Sequence, residues 1–234
     1  MKNQPRFSEQ LMTMMTNNLR VEITSPDRLL SPILFAATLL LCFSFALSRL
    51  PSEVSLPIFI AETILTAFFA LQICFSRIFE PDTGDKVYDL LRTYPVNPTA
   101  WFLSKYFSVV ILGLMILLPT MILSNFFHGE SGASILTPTF VAIAIMTLLG
   151  LAALGVLLAL ITMDSGARAI LYPLLYFPLT TPVLLSAIES GRSHLLDNEG
   201  LMELLQSWLG LLVIFDIIYF TLGILLFSEL IKAD

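Results

Sequence analysis

Residues able to do chemistry are few in this chain and unevenly placed. The densest group is the stretch RIFEPDTGDKVYDLLRTYPVNPTAWFLSK, Arg77 to Lys105, with carboxylates at Glu80, Asp82, Asp85 and Asp89 and cations at Arg77, Lys86, Arg92 and Lys105. Its acids and bases alternate as on a solvated face. It therefore lacks the convergent titratable set near one interface that a membrane-embedded enzyme requires. The chain has no GxxxxGK(S/T) phosphate loop, so it is not the nucleotide hydrolase of any complex it joins.

What this stretch can do is bind. Val87, Leu90, Leu91 and Tyr94 recur at helical spacing and give a short helix one apolar face opposite a solvated one. Asp82, followed by Asp85, suits the positive start of a helix, and Pro95 with Asn97-Pro98 stops it and opens the next element. About twelve residues make a rod of roughly 18 Å, enough to lie in a groove on a soluble partner. The expected docking set is Val87, Leu90, Leu91 and Tyr94 for contact, with Glu80, Asp82 and Arg92 setting register.

Two more carboxylates, Glu62 in IAETILTAFF and Asp216 in VIFDIIYF, lie inside apolar runs. Charge at membrane depth is costly, so such residues face a bundle interior or a cavity. Both are candidates for polar contacts between helices or for lining a path, and Asp216 is expected to be the deeper. No chain of carboxylates and histidines suggests a proton relay, which argues against an ion-driven carrier. Cys42 and Cys74 fall in apolar runs without CxxC spacing and are expected to be buried thiols. His128 and His194 lie far apart in polar loops and are expected to be ordinary exposed histidines. No metal site and no directly bound cofactor are expected.

The elements that position these residues follow from composition. With 56% hydrophobic and 13% charged residues, the chain is an integral membrane protein. Residues 6–24 place Phe7, Leu11, Met14, Met15 and Leu19 on one side of a helix too polar to span, which predicts an amphipathic helix in the inner interface over 1–28. Six apolar runs follow near 29–48, 57–78, 100–126, 138–162, 168–190 and 208–231, each close to the roughly 20 residues that a ~30 Å slab requires. They predict a single all-α transmembrane domain over 29–234, with a polar loop at 78–99 and an outer loop at 190–207.

With the amino terminus inside, Lys2, Arg6, Arg20, Arg28, Arg77, Lys86, Arg92, Lys105, Arg168 and Lys232 are cytoplasmic, leaving only Arg49 and Arg192 outside. Both termini and the 78–99 loop are then cytoplasmic. The first span starts behind a polar leader and is expected to be its own insertion signal. In span 4, Ala152, Gly155, Ala159 and Thr162 form a small-residue face for close helix approach. In span 5, the prolines Pro173, Pro178 and Pro182, after Arg168, predict a bent or broken helix. Leu201, Leu204, Leu205 and Trp208 form an apolar stripe expected at the outer interface, and Trp101 and Trp208 are expected to belong to an aromatic belt.

The run FEPD, the helix with paired leucines, the proline sixteen residues after Phe79 and the SK that opens the next span resemble the cytoplasmic loop of the haem exporter family CcmB. This is the ABC permease family of cytochrome c maturation. A second segment, GVLLALITMDSGARAILYPLLYFPLTTPVLLSA at 155–187, is similar to that family's arginine followed by a leucine- and proline-rich fifth span. The chain departs from the pattern at Lys86-Val87, with its glycine earlier, at Gly84.

The resemblance implies an ABC-2-type permease-like fold in a bacterial inner membrane, with a coupling helix between spans 2 and 3. It implies a non-catalytic membrane component that works with a CcmA-like ATPase subunit, which binds ATP. CcmC-like haem-handling and CcmD-like small membrane subunits, and a CcmE-like periplasmic haem chaperone, would be the other partners. Haem would be cargo of the complex, and no nucleic acid is expected. An ABC-2-type permease for a lipid, a polysaccharide or a drug is the alternative.

Overall fold

The computed structural model describes residues 6–47, 49–83, 97–128, 134–163 and 165–233. Among them every regular element is a helix: α1 (Phe7–Thr24), α2 (Pro26–Leu47), α3 (Ser52–Phe75), α4 (Glu80–Thr83), α5 (Pro98–His128), α6 (Pro138–Thr162), α7 (Arg168–Leu196), α8 (Leu201–Leu205) and α9 (Trp208–Ala233). Six of them, α2, α3, α5, α6, α7 and α9, are long and apolar enough to cross a membrane. Helix is the expected choice here, because lipid offers no partner to an unpaired backbone group. The chain is a multi-pass membrane protein.

The span starts are written locally. Thr137 caps α6 by accepting the Phe140 N–H at 3.2 Å, with Pro138 in the first turn, where a missing donor costs nothing. Asn97 does the same for α5, its Oδ1 accepting the Thr99 N–H at 2.9 Å.

Helix α6 is the axis of the bundle. Of its most apolar window 72% is buried, against 17% for α2 and for α9, and it packs on α9, α7, α5 and α3. Small residues let its neighbours close in: a Cβ at Gly155 would come 2.9 Å from Phe75 Cδ2 of α3. Ala152, Ala159 and Thr162 are buried with it, as the small-residue face predicts.

Several expectations are corrected. Of a bent or broken fifth span the break is absent: helix α7 is continuous from Arg168 to Leu196 with Pro173, Pro178 and Pro182 inside it, and it takes up residues 190–196 of the expected outer loop. Hydroxyl bonds from Thr180 to Tyr176 O (2.9 Å) and Thr181 to Phe177 O (3.0 Å) add backbone-directed contacts around Pro178. Trp101 is no belt residue: it is 2% exposed and meets the Phe227 ring edge-on. Cys42 faces out of the bundle while Cys74 is buried. Of the stripe before α9, only Leu204 is buried.

Helix α1 does not lie apart from the spans. Met14 and Leu19 of its apolar side pack against the core, and its main neighbour is α5. With 31 residues, α5 is about 46 Å long, longer than a ~30 Å hydrocarbon core, so it has length to spare for a helix packed alongside.

Candidate functional site

At the end of α3 the chain makes a turn, Ser76 to Phe79, before α4. Its amides stay local: Arg77 N–H bonds to Cys74 O (3.2 Å), Ile78 N–H to Phe75 O (3.3 Å) and Glu80 N–H to Arg77 O (2.9 Å). Two of its carbonyls are met by cations from other helices. Lys105 of α5 donates from Nζ to Ile78 O at 3.2 Å, and Arg168, at the start of α7, donates to Ser76 O. A third cation, Arg28 at the start of α2, lies 3.6 Å from the Glu80 carboxylate, which also has Arg77 at 3.9 Å. Cations from three different spans thus converge on this turn and on Glu80, the residue that follows it.

Lys105 is 2% exposed, a burial that a lysine tolerates only when its charge is compensated. The Ile78 carbonyl supplies part of the compensation. The Phe79 ring, 5.1 Å from Nζ to its centroid, supplies a cation–π contact. Phe79 is fully buried and tilted against Phe227 of α9, which touches Phe102 and Trp101 of α5. An aromatic wedge therefore sits directly before the FEPD acids and ties the turn to spans 3 and 6.

Helix α1 completes the site. Glu22 is 5% exposed and accepts from Arg28 Nη1 at 2.6 Å. Burial pushes its carboxyl above the ordinary value of 4.5, and the Arg28 guanidinium pulls it back only in part. A cavity of about 140 Å³ lies between α1 and the turn, lined among others by Asn18, Glu22, Ile78 and Lys105. Asn18 Nδ2 is buried with no hydrogen-bond partner among the described residues.

Of the expected docking set, Val87, Leu90, Leu91, Arg92 and Tyr94 lie outside the described residues. Glu80 is half-exposed and engaged with Arg28 and Arg77. Asp82 falls within the short helix Glu80–Thr83, and the helix it was expected to start lies outside the described residues. Arg168 staples the start of α7 to the end of α3.

The intramembrane carboxylates are not brought together. Each lies eight residues from the start of its span (Val54 or Trp208). Glu62 is buried on α3 beside the Thr63–Ser124 hydroxyl pair, 2.6 Å apart. Asp216 lies against Gly150 of α6, so close that a Cβ there would collide with its carboxylate. Asp216 Oδ1 is buried without a hydrogen-bond partner among the described residues. No three His, Cys, Asp or Glu side chains among the described residues are arranged to hold a metal. His194 is not an open surface group: Nε2 pairs with Thr137 Oγ1 (2.9 Å) and Nδ1 with Glu199 O (3.0 Å).

Sequence reasoning missed Glu22, Arg28 and the burial of Lys105. The signal for Lys105 was present: AWFLSKYFSVV sets one cation among aromatics, several residues inside an apolar run.

A family model described as CcmB protein matches residues 9–232, nearly the whole chain. No curated protein matches it.

Proposed function

Because this chain belongs to the CcmB family, the permease component of an ABC transporter in cytochrome c maturation, we propose that it couples ATP hydrolysis by a separate ATPase subunit to haem delivery or to release of a haem-loaded periplasmic chaperone. It is itself non-catalytic. The ATPase docks on Val87, Leu90, Leu91 and Tyr94, with Glu80, Asp82 and Arg92 fixing register. That loop faces the cytoplasm in a bacterial inner membrane, as does the amino terminus. CcmC-, CcmD- and CcmE-like proteins complete the complex, and haem is its cargo rather than a resident cofactor.

One observation carries this reading. The turn that leads into the loop is held by Lys105 and Arg168, and Glu80 directly after it by Arg28, cations at or near the starts of spans 3, 5 and 1. A push on the loop would be shared at once among three helices, as a mechanical input to a bundle requires.

Changing Leu90 and Leu91 to aspartate places two charges in the apolar contact and is expected to abolish co-purification of the ATPase subunit. Undiminished co-purification would refute the docking role. Deleting the gene is expected to abolish covalent c-type cytochromes; intact cytochromes would reassign the permease to another substrate.

A further inference from the structure

Helix α1 is tied to both ends of the segment that joins α4 to α5, directly at Asn97 and through Arg28 of α2 at Glu80. Near its start, Gln10 Oε1 accepts the backbone N–H of Asn97, the residue that caps α5, at 3.2 Å. Near its end, Glu22 holds Arg28 at 2.6 Å, and Arg28 reaches Glu80 at 3.6 Å. Between them the Ser108 hydroxyl of α5 donates to Met15 O at 3.5 Å. Gln10 and Glu22 are twelve residues apart, about 18 Å along a helix. Helix formation thus fixes the spacing of two attachment points, one at the entrance and one at the exit of the same loop.

We propose that α1 is a brace across the two ends of this loop, with Gln10 and Glu22 as positioning residues that set how the loop is presented to the ATPase subunit. This deepens the docking reading above and rests on it. A helix suits the task because its ends cannot approach or separate without breaking backbone bonds. The chemistry at each end suits it as well. Gln10 places an acceptor at the positive start of α5. Glu22 is a buried carboxylate whose charge burial already opposes, so its ionised form depends on Arg28, and through Arg28 it is tied to Glu80.

The test measures the Kd of the purified ATPase subunit for the full-length membrane subunit in lipid nanodiscs. Gln10→Leu removes the acceptor and is expected to weaken binding about fivefold, the net worth of one hydrogen bond. Gln10→Glu keeps an acceptor and should bind as the wild type does. Glu22→Gln releases Arg28 and should also weaken binding, yet without lowering the melting temperature, because the amide ends the cost of burying a charge and Arg28 keeps the Glu80 carboxylate as a partner. A purely structural role would couple the two losses.

A Gln10→Leu/Glu22→Gln double variant that binds within about twofold of wild type, while the Leu90/Leu91 aspartate variant does not bind, overturns the brace and leaves the docking reading standing. Equal losses in Gln10→Leu and Gln10→Glu overturn it as well. Normal binding by the Leu90/Leu91 variant removes the docking reading and the brace with it.

Discussion

The two ends of the bundle solve the same problem with different chemistry. Where α5, α6 and α7 end opposite the loop, the ties run through amide, hydroxyl, imidazole and carbonyl groups. Asn125 Oδ1 accepts from Ser134 Oγ and from Ile135 N–H, both at 3.2 Å, and His194 joins Thr137 to Glu199 O. The ion pair there among the described residues, Arg192 with Glu189 at 3.1 Å, is an i,i+3 contact on the surface of a single helix. At the loop end the ties are charged, reach between helices and are partly buried. Buried charge is an expensive way to join helices, often no more stable than an apolar contact of the same shape. What it adds is directional attachment to particular backbone carbonyls. The difference marks the loop end as the one that must hold a defined geometry under load, and the opposite end as one that need only be closed.

The strongest way to break this comparison is at Lys105. Lys105→Met keeps the length of the side chain but strips the Ile78 carbonyl of its charged donor, for which a loss of about 2 kcal/mol is expected. Thermal unfolding in detergent measures that loss, and binding of the ATPase subunit should fall with it. A Lys105→Met protein that melts and binds as wild type would show that the charged tie carries nothing.

His194 supplies the contrasting experiment. In its neutral form the ring accepts from Thr137 and donates to Glu199 O, so His194→Leu loses both contacts and should cost about 1 kcal/mol. Binding of the ATPase subunit should not change, because nothing in this network touches the turn at Ser76–Phe79. A change in binding would mean that both ends are coupled to the loop, and the distinction between them would fall.

Much of this arrangement was legible in the sequence, and the limits have a physical cause. Span starts at Pro98 and Pro138 were readable because proline and a capping side chain act locally. Which face of a span points inward was not, because lipid and protein core are equally apolar. Trp101 and Cys42 were therefore assigned to the wrong surroundings. The unbroken α7 shows the same limit, since proline's local cost is offset by neighbours that a sequence does not place. Lys105 read as one charge of a solvated island; only the folded turn brings Ile78 O and Phe79 to it.

The smallest expected effect, and the finest test of the charged end, is the pH dependence of Glu22. Burial favours its protonated form in the folded protein, against the pull of Arg28, with Lys105 and Glu80 the other charges near it. A carboxyl raised in this way contributes most to stability below its ordinary value of 4.5, and that contribution is lost as pH rises through the elevated value. Wild-type protein should therefore lose melting temperature relative to Glu22→Gln as pH is raised from about 4 toward 7. A gap that stays constant would mean that the carboxyl titrates alike in both states, and the Arg28 pair then fully offsets burial. A gap of the opposite sign would mean that Arg28 over-compensates, and that the loop end gains stability from its charges as well as geometry.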